Sequence, residues 1–208
     1  KEITAMARSH GVDVIVDMAH SWGQIDYDFV DQGVDFVGFN LHKWIGAPLG
    51  TGLMYIKKSR MLDIDTKSSK GAPGNDDINN RTQTGTMNLA AVMSVRDALD
   101  FVDAIGIKHI DKRFRALRHE WTKEFLDDDR VDILSPEDER MHGGLTSFRI
   151  NAHDDARELG KTLLNDYGIN TAAISEYNGI RVSPGLYSSK KDMRALAVAI
   201  KDIAIKLG

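Results

Sequence analysis

The side chains best suited to covalent chemistry lie in two short stretches near the start of the chain. Lys43 belongs to Asn40-Leu41-His42-Lys43-Trp44, after the run Asp35-Phe36-Val37-Gly38-Phe39 and before Gly46-Ala47-Pro48-Leu49-Gly50-Thr51-Gly52. A lysine delivered at the end of a buried strand can be held out of water, where its amine loses a proton more easily and attacks a carbonyl. About twenty-five residues upstream, Val12-Asp13-Val14-Ile15-Val16 ends in Asp17-Met18-Ala19-His20. A carboxylate at one strand end and an amine at the next suit a carbonyl compound that also carries a basic ring nitrogen. The amine condenses with the carbonyl, and the carboxylate pairs with the ring.

Elements that could position these groups follow from the hydrophobic pattern. Lys1 to Gly11 reads as a helix with Ile3, Met6 and Ala7 on its apolar face and Gly11 as its stop. Val12 to Val16 and Asp35 to Phe39 read as strands covered on both faces, because their apolar runs are nearly continuous. A short helical piece is expected around Asp28 to Gln32, and a third strand over Gly52 to Ile56. In open α/β sheets, ligands sit beyond the carboxyl ends of the strands, where Asp17, His20 and Lys43 all lie. Asp63 to Met87 is a long polar stretch, of the kind that is functional or disordered. The helical opening and the small number of strands lead us to expect the C-terminal part of a longer protein.

After Asn88, the expected cap of the next helix, the pattern turns helical. Leu89, Val92, Leu99 and Val102 mark one face of a helix ended by Gly106. Ile107, Ile110, Phe114, Leu117, Trp121 and Phe125 recur at three- and four-residue steps. Strands are expected at Val131 to Leu134, Leu145 to Ile150, Asn170 to Ile174 and Ile180 to Ser183, with a helix from Asp154 to Tyr167. The last helix carries Met193, Leu196, Ile200, Ile203 and Leu207 on one face, opened by a Ser189/Asp192 capping box. The expected organisation is therefore residues 1–88 in an α/β domain and residues 89–208 in a smaller α+β domain.

The net charge of -4 gives no basic field for nucleic acid, and no apolar run is long enough to cross a bilayer. The absence of cysteine excludes disulfides, thiolate metal sites and a cysteine nucleophile from these 208 residues. His109, His119, His142 and His153 lack metal-ligand spacing, so no metal is expected. No signal-peptide pattern is present, and a cytoplasmic location is the expectation.

Five segments in register carry a resemblance: Asp17-Met18-Ala19-His20, Asn40 to Pro48, Gly50-Thr51-Gly52, Gly85-Thr86-Met87-Asn88 and Ile180-Arg181-Val182-Ser183-Pro184. Together they resemble the class V aminotransferases, which are fold-type I enzymes dependent on pyridoxal 5'-phosphate. His-Lys-Trp followed by Ala-Pro is most similar to the isopenicillin-N-epimerase-like branch. The resemblance implies the C-terminal portion of a PLP-transferase-like large domain, with a mostly parallel sheet, followed by the smaller α+β domain.

It also implies roles. Lys43 would hold the cofactor as a Schiff base and then move the α-proton of an amino-acid substrate. Asp17 would pair with the pyridinium nitrogen; the alternative is an aspartate capping the next turn. Ala19 would lie against the ring, and His20 would hydrogen-bond the phenolic oxygen. Asn40 and His42 would contact the phosphate, although many relatives carry serine or threonine where Asn40 stands. Thr86 would reach the phosphate of a neighbouring subunit's cofactor, implying a homodimer with shared active sites; ordinary helix capping explains that segment equally. Arg181 would grip the substrate α-carboxylate through two parallel hydrogen bonds, the alternative being a structural salt bridge.

The expected activity is an aminotransferase or epimerase, with a lyase unresolved. Desulfurases of this family use a cysteine shortly before the position of Arg181. The segment Asn165 to Ile180 contains none, so thiol-based desulfuration is not expected. The opposing reading is a non-catalytic binding or assembly module that retains the fold without the upstream half of the site.

Overall fold

In the computed structural model, the described residues are 1–65, 77–78, 81 and 85–207. Most of the polar stretch expected over Asp63 to Met87 lies outside them. The chain divides into two compact units, Lys1–Gly106 and Ile107–Gly208. The division falls at the glycine that ends the helix after Asn88, so that helix groups with the first unit.

The first unit holds α1 (Glu2–Ser9), β1 (Ile15–Asp17), β2 (Phe36–Asn40), β3 (Gly52–Ile56) and α2 (Leu89–Ile105). Its sheet order is β1-β2-β3. β1 and β2 are parallel, with Asp17 beside Gly38, whereas β2 and β3 are antiparallel, with Asn40 beside Gly52. Among the described residues, the expected parallel pairing is that of β1 with β2, and the sheet is mixed. The connection from β2 to β3 contains no helix, and without a crossover the chain can only turn back on itself.

Burial along β2 alternates instead of covering both faces: Val37 and Phe39 are buried while Gly38 is exposed. The buried face meets an aromatic layer in which Phe39 lies 4.8 Å from Trp22 and 5.2 Å from Phe29, and Phe29 lies 5.2 Å from Tyr55. Such tilted and edge contacts suit the ring quadrupoles.

β1 is shorter than its apolar run, and near its start one backbone donor goes to a side chain instead of a strand. Val14 N–H donates to the buried Asp35 carboxylate at 3.1 Å. Asp13 is held by two Arg60 nitrogens at 2.5 and 2.7 Å. Asp35 also pairs with Arg8 of α1 at 3.2 Å. Thr4 is the buried residue of that helix, while Ile3 and Met6 are exposed, the reverse of the expected apolar face. Gly11 does end the helix, at φ 68°, with its N–H on Arg8 O. Asn88 caps α2 by accepting from Ala91 N–H. Of the expected stripe on α2, Val102 is buried whereas Leu89 and Val92 are exposed.

The second unit is a four-stranded antiparallel sheet, order β4-β5-β7-β6, built from β4 (Val131–Ile133), β5 (Thr146–Ile150), β6 (Ala172–Ile174) and β7 (Gly179–Val182). Its helices are α3 (Ile107–Thr122), α4 (Ala156–Tyr167) and α5 (Lys190–Leu207). The periodic stripe of α3 and the turn after it is the core: Ile110, Phe114, Leu117, Trp121 and, beyond the helix, Phe125 are all buried, and Trp121 packs on Phe148 with ring centroids 5.6 Å apart. The stripe of α5 is buried through Ile203. The expected capping box forms, with Ser189 N–H on Asp192 Oδ2 at 2.8 Å and Asp192 N–H on Ser189 Oγ at 3.3 Å. Among the described residues, no helix is long and apolar enough to cross a membrane.

Candidate active site

Asp17 ends β1, and the Met18 N–H continues the ladder onto Gly38 O at 2.9 Å. The next turn is closed by the Asp17 side chain, whose Oδ1 accepts from Ala19 N–H at 2.8 Å. Asp17 therefore caps its turn, and this same bond aims its carboxylate. Oδ2 makes no hydrogen bond among the described residues. Met18 and Ala19 are buried beneath the turn, while His20 stands exposed above it. Gln24, almost fully buried, reaches back to donate to His20 O.

Lys43 follows β2 across a turn in which its N–H reaches Asn40 O at 3.4 Å. The loop beyond is closed by Ala47 N–H on Leu41 O at 3.0 Å and by two donors of Thr51 on Pro48 O. Gly46 and Gly50 adopt φ 76° and 83°, values that a side chain resists. Gly23 is required for a second reason. A Cβ there would lie 2.8 Å from Ile45 Cδ1 and 3.0 Å from Trp44 Cβ. The 18–25 turn and the lysine loop touch at this glycine.

That contact brings the chemistry together. Lys43 Nζ lies 3.0 Å from His20 Nε2, and Trp44 Nε1–H donates to His20 Nδ1 at 3.4 Å. His42 Nδ1 lies 3.2 Å from Thr51 O. A carbonyl only accepts, so Nδ1 of His42 carries a proton. Lys43 is exposed in this chain, not withdrawn from water as the strand pattern suggested. The groups that meet it here are side chains rather than an apolar wall.

Asp17, Ala19, His20, Asn40, His42 and Lys43 thus share one end of the first unit's sheet. Thr86 is exposed in the turn before α2, outside the hydrogen bonds that join His20 to Lys43 and Trp44. Arg81 is buried, with Nε on Ile64 O and Nη1 on Asp77 O. Arg181 belongs to the second unit, on β7 beside Ser147 and Ala172. Its strand neighbours Ile180 and Val182 face the helices, so Arg181 points to the opposite face. There Ser147 Oγ meets Tyr177 OH at 3.2 Å. Arg181 Nε is buried without a hydrogen-bond partner among the described residues, an arrangement a structural salt bridge would not leave.

Sequence reasoning gave no role to Trp44, Gln24 or Thr51. Trp44 stood inside the recognised motif. The glutamine four residues after His20 was the available signal for Gln24. Thr51 acts through its carbonyl, to which side-chain identity gives no clue.

The model of the family described as aminotransferase class-V matches residues 1–196. The isopenicillin N epimerase of Streptomyces clavuligerus is 25% identical over 217 residues, covering 96% of this chain and 54% of that protein. A chloroplastic Arabidopsis thaliana protein named probable L-cysteine desulfhydrase is 35% identical over 211 residues, covering 97% of this chain and 37% of its own length. The solved apo structure of a cysteine desulfurase from Thermococcus onnurineus NA1 superposes with a TM-score of 0.81 at 20% identity, covering 99% of this chain and 56% of that one. The chain spans about half the length of the first of these relatives and less of the second. By the extent of the family match, and with an α/β fold shared with a solved relative, this chain belongs to the class-V aminotransferase family.

Proposed function

We propose that this chain supplies the lysine end of a pyridoxal 5'-phosphate site, in a protein that acts at the α-carbon of a small amino acid. The observation that carries the reading is the 3.0 Å pairing of Lys43 Nζ with His20 Nε2, one strand away from the Asp17 carboxylate. The donor set fits the cofactor chemically: an amine for its aldehyde, a carboxylate oxygen outside the turn for its ring nitrogen, and an imidazole at the amine for its phenolic oxygen. Asn40 and His42 are assigned to its phosphate, and Ala19 to its ring. His42 keeps Nδ1 on Thr51 O, which leaves Nε2 as its other ring nitrogen for the phosphate.

When bound, the cofactor supplies an electron sink that acidifies the substrate Cα–H bond. The residues of this chain do the rest. Asp17 stabilises positive charge at the ring nitrogen. Lys43 removes and returns the proton at Cα. Arg181 holds the substrate carboxylate with parallel N–H donors and so fixes the direction of the Cα–H bond; its unpartnered Nε supports that assignment. Thr86 is assigned to the cofactor phosphate of a second subunit, in a homodimer.

The finer reading is an aminotransferase or epimerase. A second reading, a lyase that eliminates a β-substituent, is supported by the 35% identity to the protein named a desulfhydrase. Desulfuration by a cysteine nucleophile would need a thiol that these 208 residues do not contain. The intact protein, supplied with pyridoxal 5'-phosphate, is expected to gain a visible absorbance band that Lys43→Ala lacks. Amino acids that perturb the band identify the substrate, and a keto acid, an inverted stereocentre or released ammonia distinguishes the three reactions. A colourless wild-type protein would leave the non-catalytic reading standing.

A further inference from the structure

The face of β7 that carries Arg181 is built around one aromatic side chain. Gly179 lies two residues before Arg181 and shares its face. A Cβ there would lie 2.7 Å from Tyr177 Cδ2, so only glycine leaves room for the phenol ring. The ring crosses the strand and brings Tyr177 OH to 3.2 Å from Ser147 Oγ. Ser147, itself buried, stands across the ladder from Arg181, where Cβ atoms on one face are about 5 Å apart. The turn that delivers Tyr177 is strained and tethered. Asn178, at φ 50°, is the one non-glycine residue with a positive φ among the described residues. Its Nδ2 donates to His153 O at 2.7 Å, and Arg157 Nε donates to Ser175 Oγ at 3.0 Å. Such a backbone persists where its surroundings over-determine it, and it collects at binding sites.

The hydroxyl pair leaves a donor over. Ser147 and Tyr177 carry one hydroxyl proton each, and their mutual bond uses one of them. Whichever oxygen donates, one O–H remains. The charges on this face are unequal too. Arg149 is neutralised by Asp132 at 2.7 Å, whereas Arg181 has no such partner and its Nε is orphaned among the described residues. We propose that the Ser147–Tyr177 pair supplies a third donor to the anion held at Arg181, with Tyr177 positioning the Ser147 hydroxyl. The identity of that anion, the α-carboxylate of an amino acid, rests on the function proposed above. A guanidinium alone leaves a carboxylate free to rock against its two parallel donors. A hydroxyl approaching from the β5 side makes the two carboxylate oxygens inequivalent and fixes rotation about the bond to Cα. On the other side of Arg181, Ala172 offers no side-chain donor, so the third bond comes from β5.

The test titrates the intact, cofactor-free protein, labelled with nitrogen-15, with sodium propionate, which carries the carboxylate without an amine. The Arg181 Nε–H resonance is the readout, and the wild type is expected to show a saturable shift. Absence of that shift would remove the anion site and the proposal with it. The double variant Ser147→Ala/Tyr177→Phe should keep the shift but raise the dissociation constant about tenfold, as for one hydrogen bond to a charged group. An unchanged constant would overturn the proposal. If the double variant does not fold, Tyr177→Phe alone decides, because it keeps the ring over Gly179. It should weaken propionate about threefold, a part of the same hydrogen bond, and wild-type affinity there would refute the positioning role. In the cofactor-loaded protein, the double variant should raise KM for the amino acid by more than it lowers kcat. A loss confined to kcat, with propionate affinity intact, would reduce the pair to packing. Propionate binding as described without turnover of any amino acid would sink the α-carbon reading and leave the anion site. Turnover with a wild-type KM in the double variant would do the reverse.

Discussion

The surroundings of Lys43 and of Arg181 differ in how their polar groups are satisfied. At the lysine, Asp17 Oδ1 holds Ala19 N–H, His20 meets both Lys43 and Trp44, and His42 lies on Thr51 O. At the arginine, Nε is buried on β7 with no partner among the described residues. The first cluster is aimed by bonds that also hold the local fold. The second keeps a charged donor out of the fold's own hydrogen bonding, a cost that an anion would offset. Substitutions in the first cluster should therefore alter stability and function together, and substitution at Arg181 should alter function alone.

Asp17→Ala should test that contrast with the largest effect. Turnover by the cofactor-loaded protein is expected to fall about 10²–10³-fold, as for loss of one preorganised electrostatic partner. Stability should fall by about 1 kcal/mol from loss of the Ala19 cap. Steady-state kinetics and denaturant unfolding measure the two, and a functional loss with unchanged unfolding would break the coupling. Arg181→Ala should raise KM for the amino acid about ten- to a hundredfold, for one charge-assisted contact, and leave the denaturation midpoint where it was. Arg181→Lys should not restore KM, because an ammonium cannot present parallel donors.

Gly23→Ala sharpens the first half of the comparison without touching a reactive group. The positive φ and the 2.8 Å approach to Ile45 predict a loss of about 1–3 kcal/mol, with disturbance of the His20 and Lys43 resonances. Ser189→Ala removes the α5 cap in the second unit and should cost about 1 kcal/mol while leaving KM unchanged.

The smallest effect concerns pH. Asp132 is held below its ordinary value of 3.8 first by the Arg149 hydrogen bond and then by Asn151. A depressed carboxylate contributes stability that is fully present above 3.8 and is lost as pH falls from there through its lower folded value. Because the pair is largely exposed, the contribution should be small and weakened by salt. Comparing acid unfolding of wild type and Asp132→Asn checks it.

Much of the second unit was legible because its stripes are long and periodic. Ile110 to Phe125 and Met193 to Ile203 repeat at helical spacing over several turns, and the Ser189/Asp192 box forms as its spacing implied. The first unit resisted for physical reasons particular to its residues. Ile3 and Met6 suggested an inward face, but Thr4 is buried instead, on a helix that is also tied to Asp35 through Arg8. Val12 to Val14 looked like strand, yet Asp13 and Val14 bond to side chains of Arg60 and Asp35. Continuous apolarity implied two covered faces for β2, where burial alternates.

For the candidate site, strand ends followed by turns are local properties of sequence and marked Asp17 and Lys43 as candidates, while His20 and Arg181 were marked by the resemblance of their segments to the family. Which side chains would meet was not legible, because Trp44 reaches His20 from across a second loop. Nor could the orphaned Nε of Arg181 be read from composition. Hydrogen-bond satisfaction is settled by what folding brings within about 3 Å, and only the tertiary structure decides that.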